Sequence, residues 1–300
     1  MELAVNMRRY GFVYNRKAGT SDRTALIENA IARLRAQRFE VATFPCDGNP
    51  RPCAEEAVRK NCDVVVAGGG DGTVNAVAGV LHGTDRQLGV LPLGTLNHFA
   101  RDLGILTMAD AENALEFGPV RLVDAGFVNG HIFLNNSGIG AYPAMVRERE
   151  RVRRIGIPKW PAFVHACLRT LFRMPFQRLK IEADGRSVSR TTPFVFVGNN
   201  LYSLDGRKPG TRQRLDEGLL GVCTASHVGR FGIMRLAFRA LMGTIREDRD
   251  FIAFSAVHLT LTRKRPFNVS LDGEVLRMKG PLHYSIQRRA LRVLVPPALK

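Results

Sequence analysis

The period of the apolar positions changes near residue 124. Before that point short apolar runs alternate with helical spacing. Residues 10–14 read as a strand that enters a turn-rich stretch at 15–21. Ile27, Ala30, Ile31 and Leu34 then recur at i, i+3, i+4 and i+7, one face of a helix. Strands are expected near 39–44, 63–67 and 88–91, and helices near 53–60 and over Val74, Val77, Ala78 and Leu81. Thr107 and Asp110 are spaced as a capping box opening a further helix. Strand–helix alternation of this kind predicts a parallel sheet with helices on both faces.

After residue 124 the pattern becomes one of hairpins. Asp184-Gly185 and Asp272-Gly273 each sit between strand-like runs, the strongest short-range hairpin signal. Residues 251–262 and 266–271 alternate or run apolar as half-buried strands do, and helical stretches interrupt near 160–174 and 231–245. The expected architecture is an α/β nucleotide-binding domain over residues 1–123 and a mostly antiparallel β domain over 124–300. The last strand could return to the first domain. No internal repeat is visible.

Composition adds exclusions. The 300 residues are 45% hydrophobic and 24% charged, which is globular and neither disordered nor low in complexity. No apolar run approaches the roughly 20 residues needed to span a bilayer, and the arginines near the N-terminus do not suit a signal peptide. Five cysteines with no Cys-x-x-Cys pair point to reduced thiols, and so to a cytoplasmic protein, rather than to a disulfide framework or zinc site. The charge is uneven. Residues 1–123 carry 14 Lys/Arg against 14 Asp/Glu, and residues 124–300 carry 30 against 13, so the whole +17 lies in the second half. A surplus so placed predicts an anionic partner.

The chemistry concentrates in Val64-Val-Val-Ala-Gly-Gly-Gly-Asp-Gly-Thr-Val-Asn75. A strand entering glycines and then a helix is a phosphate-holding device: glycine lets backbone N–H groups approach closely, and the helix N-terminus adds partial positive charge. The loop is not a dinucleotide fingerprint, because Asn75 stands where the third glycine belongs, and no Lys-Ser/Thr follows to make a P-loop. Asp71, between Gly70 and Gly72, is read as a carboxylate placed for phosphate or metal rather than for packing.

Gly69-Gly70-Asp71-Gly72-Thr73, followed by Leu91-Pro-Leu-Gly-Thr-Leu-Asn-His-Phe-Ala-Arg101, resembles the diacylglycerol and sphingosine lipid kinase superfamily, and in particular the soluble bacterial diacylglycerol kinase-like and phosphatidylglycerol kinase-like proteins. The resemblance continues through Asn15 to Gly19 (with Arg16 where relatives have proline), Asp124-Ala-Gly, Asn136-Ser-Gly-Ile-Gly140, Leu215-Asp-Glu-Gly-Leu-Leu-Gly-Val222 and Leu271-Asp-Gly-Glu274. It implies a first domain of the phosphofructokinase and NAD kinase kind and an ATP- and Mg²⁺-dependent kinase acting on a hydroxyl of a diacylglycerol-like, phosphatidylglycerol or sphingoid lipid. Gly69, Gly70, Gly72 and Thr73 would contact the nucleotide phosphates, with Asp71 in their electrostatic network. Thr43, Asn75 and Thr95 would complete the nucleotide site, Thr43 from the end of the second strand. Glu217 would hold Mg²⁺ with the carbonyls of Arg214 and Leu219, glutamate replacing the aspartate common in relatives. Glu274 would accept the lipid hydroxyl proton, with Asp71 as the rival base. At the neighbouring Asp272 asparagine would serve the hairpin equally well, and Asp184 has no such role. His98 replaces the aspartate usual after Gly-Thr-x-Asn, which removes a carboxylate near the phosphates.

The remaining histidines show no metal-ligand spacing. Residues 147–154 hold five arginines ahead of Ile155, Ile157, Trp160 and Phe163, which suits peripheral association with an anionic membrane carrying the lipid. Two rivals stay open: an NAD kinase-like enzyme, which shares the glycine loop, and a non-catalytic membrane- or nucleic-acid-binding relative. Nucleic acid is disfavoured by one tryptophan and five tyrosines, too few for a stacking platform. The oligomeric state, a homodimer included, is left open.

Overall fold

The computed structural model describes residues 8–15, 21–140, 176–203, 210–225 and 251–297, with isolated positions between 229 and 250. The basic run at 145–160, the helix expected near 160–174, most of that near 231–245 and turn residues 16–19 lie outside the described residues. The chain divides into two units, Met1–Val123 with Arg289–Lys300, and Asp124–Arg288.

The first unit alternates as its periodicity requires. β1 (Arg9–Asn15), α1 (Ser21–Ala36), β2 (Glu40–Cys46), α2 (Arg51–Arg59), β3 (Val64–Gly69), α3 (Asp71–Leu81) and β4 (Gln87–Pro92) follow in order, then the short α4 (His98–Asp102) and α5 (Met108–Phe117). The strands lie in the order β2-β1-β3-β4, all parallel, and Arg292 and Val293 of the chain's last strand pair with Gln87 and Leu88 at the β4 edge. Val64–Ala67 are wholly buried, as a parallel strand covered on both faces must be. Ile27, Ala30, Ile31 and Leu34 are the buried face of α1. The capping box forms: Asp110 N–H donates to the Thr107 hydroxyl, and Thr107 N–H returns the bond to the Asp110 carboxylate. Tyr10 is buried, and its hydroxyl donates to the Leu115 carbonyl at 2.7 Å. β5 (Val120–Val128) leads out of this unit.

The second unit holds β6 (His131–Phe133), β7 (Asn136–Gly140), β8 (Gln177–Ala183), β9 (Arg186–Thr192), β10 (Phe194–Asn199), β11 (Leu220–Ala225), β12 (Phe251–Ala256), β13 (His258–Thr262), β14 (Phe267–Leu271), β15 (Glu274–Met278) and the start of β16 (Leu282–Leu294). One sheet runs β12-β11-β10-β7-β14-β15, antiparallel throughout. The other joins β16, β13, β8 and β9, also antiparallel. Phe133, Ile139, Leu179, Val195, Val222, Leu261, Phe267 and Tyr284 are among the buried residues of the shared core. The expected α/β domain with a parallel sheet and antiparallel β domain are therefore both present.

One expected strand is two. Residues 251–262 divide at Val257 into β12 and β13, which belong to different sheets. The break has a physical cause: the Asp184 carboxylate accepts the N–H groups of Val257 and His258, so the backbone turns the corner with its donors satisfied. Asp184 thus has an anchoring role that the sequence did not suggest.

Candidate functional site

In the first unit the order β2-β1-β3-β4 reverses direction between β1 and β3, and in open α/β sheets ligands settle at the carboxyl ends of strands beside that reversal. A cavity of about 290 Å³ lies there, lined by Tyr14 and Asn15 from the end of β1, Arg23, Thr24 and Ile27 from the first turns of α1, Gly68–Gly70, Thr73 and Leu93. The opening turns of α1 and α3 both face it, which supplies the partial positive charge of two helix starts.

Glycine is required in this wall. A Cβ on Gly69 would fall 2.3 Å from the Thr73 hydroxyl oxygen, and one on Gly94 would fall 2.4 Å from the Gly70 Cα and 2.5 Å from Asn97 Oδ1. The two glycine-bearing loops therefore touch backbone to backbone. They are also pinned by Asp71, whose carboxylate accepts the N–H groups of His98 (3.3 Å) and Phe99 (3.2 Å). Asn97, in the left-handed region at φ 49°, accepts from Gly94 N–H and donates to the carbonyls of Pro92 and Gly94.

These bonds add to one expectation. Asp71 has a structural part as well as the one expected of it: it caps the first turn of α4 and fastens the two loops together. At position 98 it is the main-chain N–H, not the imidazole, that meets Asp71.

The sequence-predicted nucleotide residues are partly assembled. Gly69, Gly70 and Thr73 line the cavity; Gly72 and Asn75 follow on α3, and exposed Thr95 lies in the loop packed on Gly70. Thr43 does not join them. It is exposed in the middle of β2, opposite Phe12, rather than at the strand's end, because β2 runs on to Cys46. Arg23 is the residue that sequence reasoning missed: its cation follows a turn-rich stretch and belongs to no motif.

In the second unit, side chains hold the backbone. Asp272 (φ 46°) and Gly273 (φ 94°) make the two-residue turn expected between β14 and β15. The Asp272 carboxylate accepts three main-chain N–H groups, from Leu134 (2.8 Å), Asn135 (2.8 Å) and Asn136 (2.9 Å). Asparagine is therefore not its equal here, because an amide NH₂ would face one of those donors. Arg212, only 5% exposed, donates to the carbonyls of Leu134 and Asn199 and to Asn135 Oδ1. The Asn199 amide donates to the Asp124 and Leu134 carbonyls, and the buried Asp124 carboxylate accepts Gly218 N–H at 2.6 Å. Glu217 closes the chain of bonds, its N–H donating to Asn200 Oδ1 and its carboxylate accepting from Leu201 N–H. One polar knot thus links the turn bearing Glu274 to the turn bearing Glu217. Glu274 itself is exposed at the start of β15.

The Arg214–Leu219 turn suits a hard cation in donor type, offering the Glu217 carboxylate and main-chain carbonyls. Its shape needs Gly218, at φ +71°, where a Cβ would meet Arg288 Nε at 2.4 Å. Among the described residues no group of three or more His, Cys, Asp and Glu side chains is placed to hold a metal. Any ion here would depend largely on main-chain oxygens beside the Glu217 carboxylate, since Asp216 of the same turn is paired with Arg214.

Comparison with known proteins bears on this arrangement. Residues 9–127 match the diacylglycerol kinase catalytic domain, and residues 137–295 match the YegS C-terminal NAD kinase beta sandwich-like domain. The chain belongs to the diacylglycerol kinase and YegS-like lipid kinase family. It is 26% identical over 278 residues to a diacylglycerol kinase of Bacillus subtilis, covering 89% of this chain and 90% of that one. It is 28% identical over 292 residues to a Pseudomonas aeruginosa protein named "Probable lipid kinase YegS-like", covering 95% and 93%. The fold is shared with a diacylglycerol kinase structure from Bacillus anthracis at TM-score 0.71 and 21% identity, covering 98% of this chain and 99% of that one. As a member of this family the protein is a phosphotransferase, and no helix among its described residues is long and apolar enough to cross a membrane.

Proposed function

We propose that the protein transfers the γ-phosphoryl group of ATP, with Mg²⁺, to a hydroxyl of a diacylglycerol-like, phosphatidylglycerol or sphingoid lipid at an anionic membrane surface. The observation that carries the reading is the glycine-walled cavity at the β1/β3 reversal, where backbone, two helix starts and Arg23 converge on a space fit for phosphate. Relatives bearing the names diacylglycerol kinase and lipid kinase support the substrate class.

In this reading Gly69, Gly70, Gly72 and Thr73 cradle the phosphates and Arg23 offsets their charge. Asp71 keeps the Gly94–Asn97 loop, with Thr95, against them. Glu217 and the carbonyls of Arg214 and Leu219 would hold the metal ion, which supplies charge neutralisation to the transferring phosphoryl group. Glu274, exposed on a turn that Asp272 immobilises, takes the proton of the lipid hydroxyl, a role open to a carboxylate within hydrogen-bond reach. The +17 charge, carried by residues 124–300, favours an anionic surface.

The test is γ-labelled ATP with Mg²⁺ offered to vesicles of diacylglycerol, phosphatidylglycerol, sphingosine or ceramide, with NAD as control. Label in a lipid supports the reading, and label in NAD instead overturns it.

A further inference from the structure

The β2–α2 connection carries a feature that phosphoryl transfer does not use. Cys46 ends β2 and is 3% exposed, its Sγ 3.6 Å from the Phe44 carbonyl oxygen. Cys53 stands in the first turn of α2, half-buried, its Sγ 3.8 Å from the carbonyl oxygen of Pro45, the residue just before Cys46. The Cys53 sulfur therefore sits against the main chain one residue before Cys46, close enough for its side chain to act on the Cys46 thiol. Neither Cys62, buried against Gly11, nor Cys223, in the other unit, belongs to this pair.

We propose that Cys46 and Cys53 form a redox modification site: a small-molecule disulfide such as oxidised glutathione converts them to a Cys46–Cys53 disulfide, which staples the β2–α2 loop beside the glycine-walled cavity. The connection to that cavity is direct. Cys46 is the cross-strand neighbour of Asn15, and the Asn15 amide donates to the carbonyl of Gly48 inside the loop at 3.2 Å. Asn15 also lines the cavity. Closing a ring from residue 46 to 53 would hold the Gly48 carbonyl on Asn15, so thiol state is expressed at the cavity wall.

The chemistry assigns unequal parts to the two sulfurs. Cys53, the more accessible, loses its proton and attacks the small disulfide, forming a mixed disulfide and releasing one thiol. Cys46 then loses its proton and attacks the Cys53 sulfur, releasing the second thiol and leaving one S–S bond in the protein. Two protein thiols and one small disulfide thus become one protein disulfide and two small thiols. Burial first, and then Cys53, push the Cys46 thiol up to about 12. Cys46 is too buried to meet the small disulfide itself, whereas Cys53 is open to it, so Cys46 takes the resolving role. The site needs no ligand, and it stands or falls apart from the nucleotide reading.

The experiment exposes the reduced full-length chain to oxidised glutathione, blocks remaining thiols by alkylation and maps peptides without reduction. The expected result is a Cys46–Cys53 link that dithiothreitol reverses. Amide exchange at residues 47–49 should slow at least about tenfold in the linked form, as a local opening is suppressed. Cys53→Ser should neither link nor slow, while Cys62→Ser should do both like the parent. Recovery of Cys46 and Cys53 fully alkylated, a mixed disulfide at Cys53 that never resolves, or a link to Cys62 in place of Cys46 would each overturn the proposal.

Discussion

The two units fix their candidate sites by opposite means. In the first, side chains are removed: Gly69, Gly70 and Gly94 let two loops meet backbone to backbone, and the Gly68–Gly70 stretch of the cavity wall is main chain. In the second, charged side chains are inserted: Asp272, Arg212 and Asp124 reach into turns and satisfy main-chain groups that would otherwise be buried unpaired. A phosphate is bound best by close, preorganised dipoles, which added atoms would block. A proton acceptor needs a held position, which hydrogen bonds from behind can supply while its own carboxylate stays exposed. The first site should therefore be damaged by adding atoms and the second by removing charge.

The largest effect should come from Arg212→Met. Methionine fills much of the space but leaves the Asn199 carbonyl and Asn135 Oδ1 without this donor, each such loss costing about 1–3 kcal/mol. Denaturant unfolding should show a loss of about 3 kcal/mol. A change under 1 kcal/mol would mean the knot is water-exchanged rather than structural.

Gly94→Ala is the complementary insertion. Its Cβ has no room against Gly70 and Asn97, and overpacking of this kind costs about 1–3 kcal/mol. Because the loops must part to accept it, ATP affinity measured by calorimetry should weaken about tenfold, equivalent to roughly 1.4 kcal/mol. Unaltered affinity would separate this loop contact from nucleotide binding.

Asp272→Asn sharpens the contrast within the second unit. It keeps the turn but sets an NH₂ against a main-chain N–H, at a cost of about 1–3 kcal/mol. The exposed Glu274→Gln should stay within about 0.5 kcal/mol of the parent. Equal stability losses in the two variants would dissolve the distinction between anchor and acceptor.

The smallest effect is on acid stability. Hydrogen bonds from Thr107 hold the Asp110 carboxyl below the usual carboxylate range, and Arg235 does the same for Asp248. A folded pKa below the unfolded value near 3.9 gives stability that is complete above about pH 4 and is lost as pH falls through the folded values. Thermal melts below pH 4 should fall less steeply for Asp110→Asn than for the parent.

Much of this was legible in the sequence, and the exceptions share a cause. Periodicity located β3, α3 and the buried face of α1, and the Asp-Gly pairs located both hairpins, because those signals are local. Asp184, Asp272 and Arg212 escaped because their partners lie 74, 136 to 138 and up to 78 residues away, and no spacing along the chain announces such a bond. Arg23 escaped because only the fold sets α1's first turn beside β3. Thr43 was misplaced by reading β2 as ending at residue 44, two residues short.

The most direct test of Glu274 as the proton acceptor in the lipid kinase reading joins both units in one sample. Glu274→Gln keeps the size, the turn and a hydrogen-bonding oxygen, and removes only the carboxylate able to take a proton. With γ-labelled ATP, Mg²⁺ and vesicles of the accepted lipid, label transfer should fall about 10²–10⁴-fold, the usual worth of a positioned acid–base group. ATP affinity in the same preparation should be unchanged. Full transfer by Glu274→Gln, with Asp71→Asn inactive yet folded, would contradict it and move the proton to Asp71 or to water.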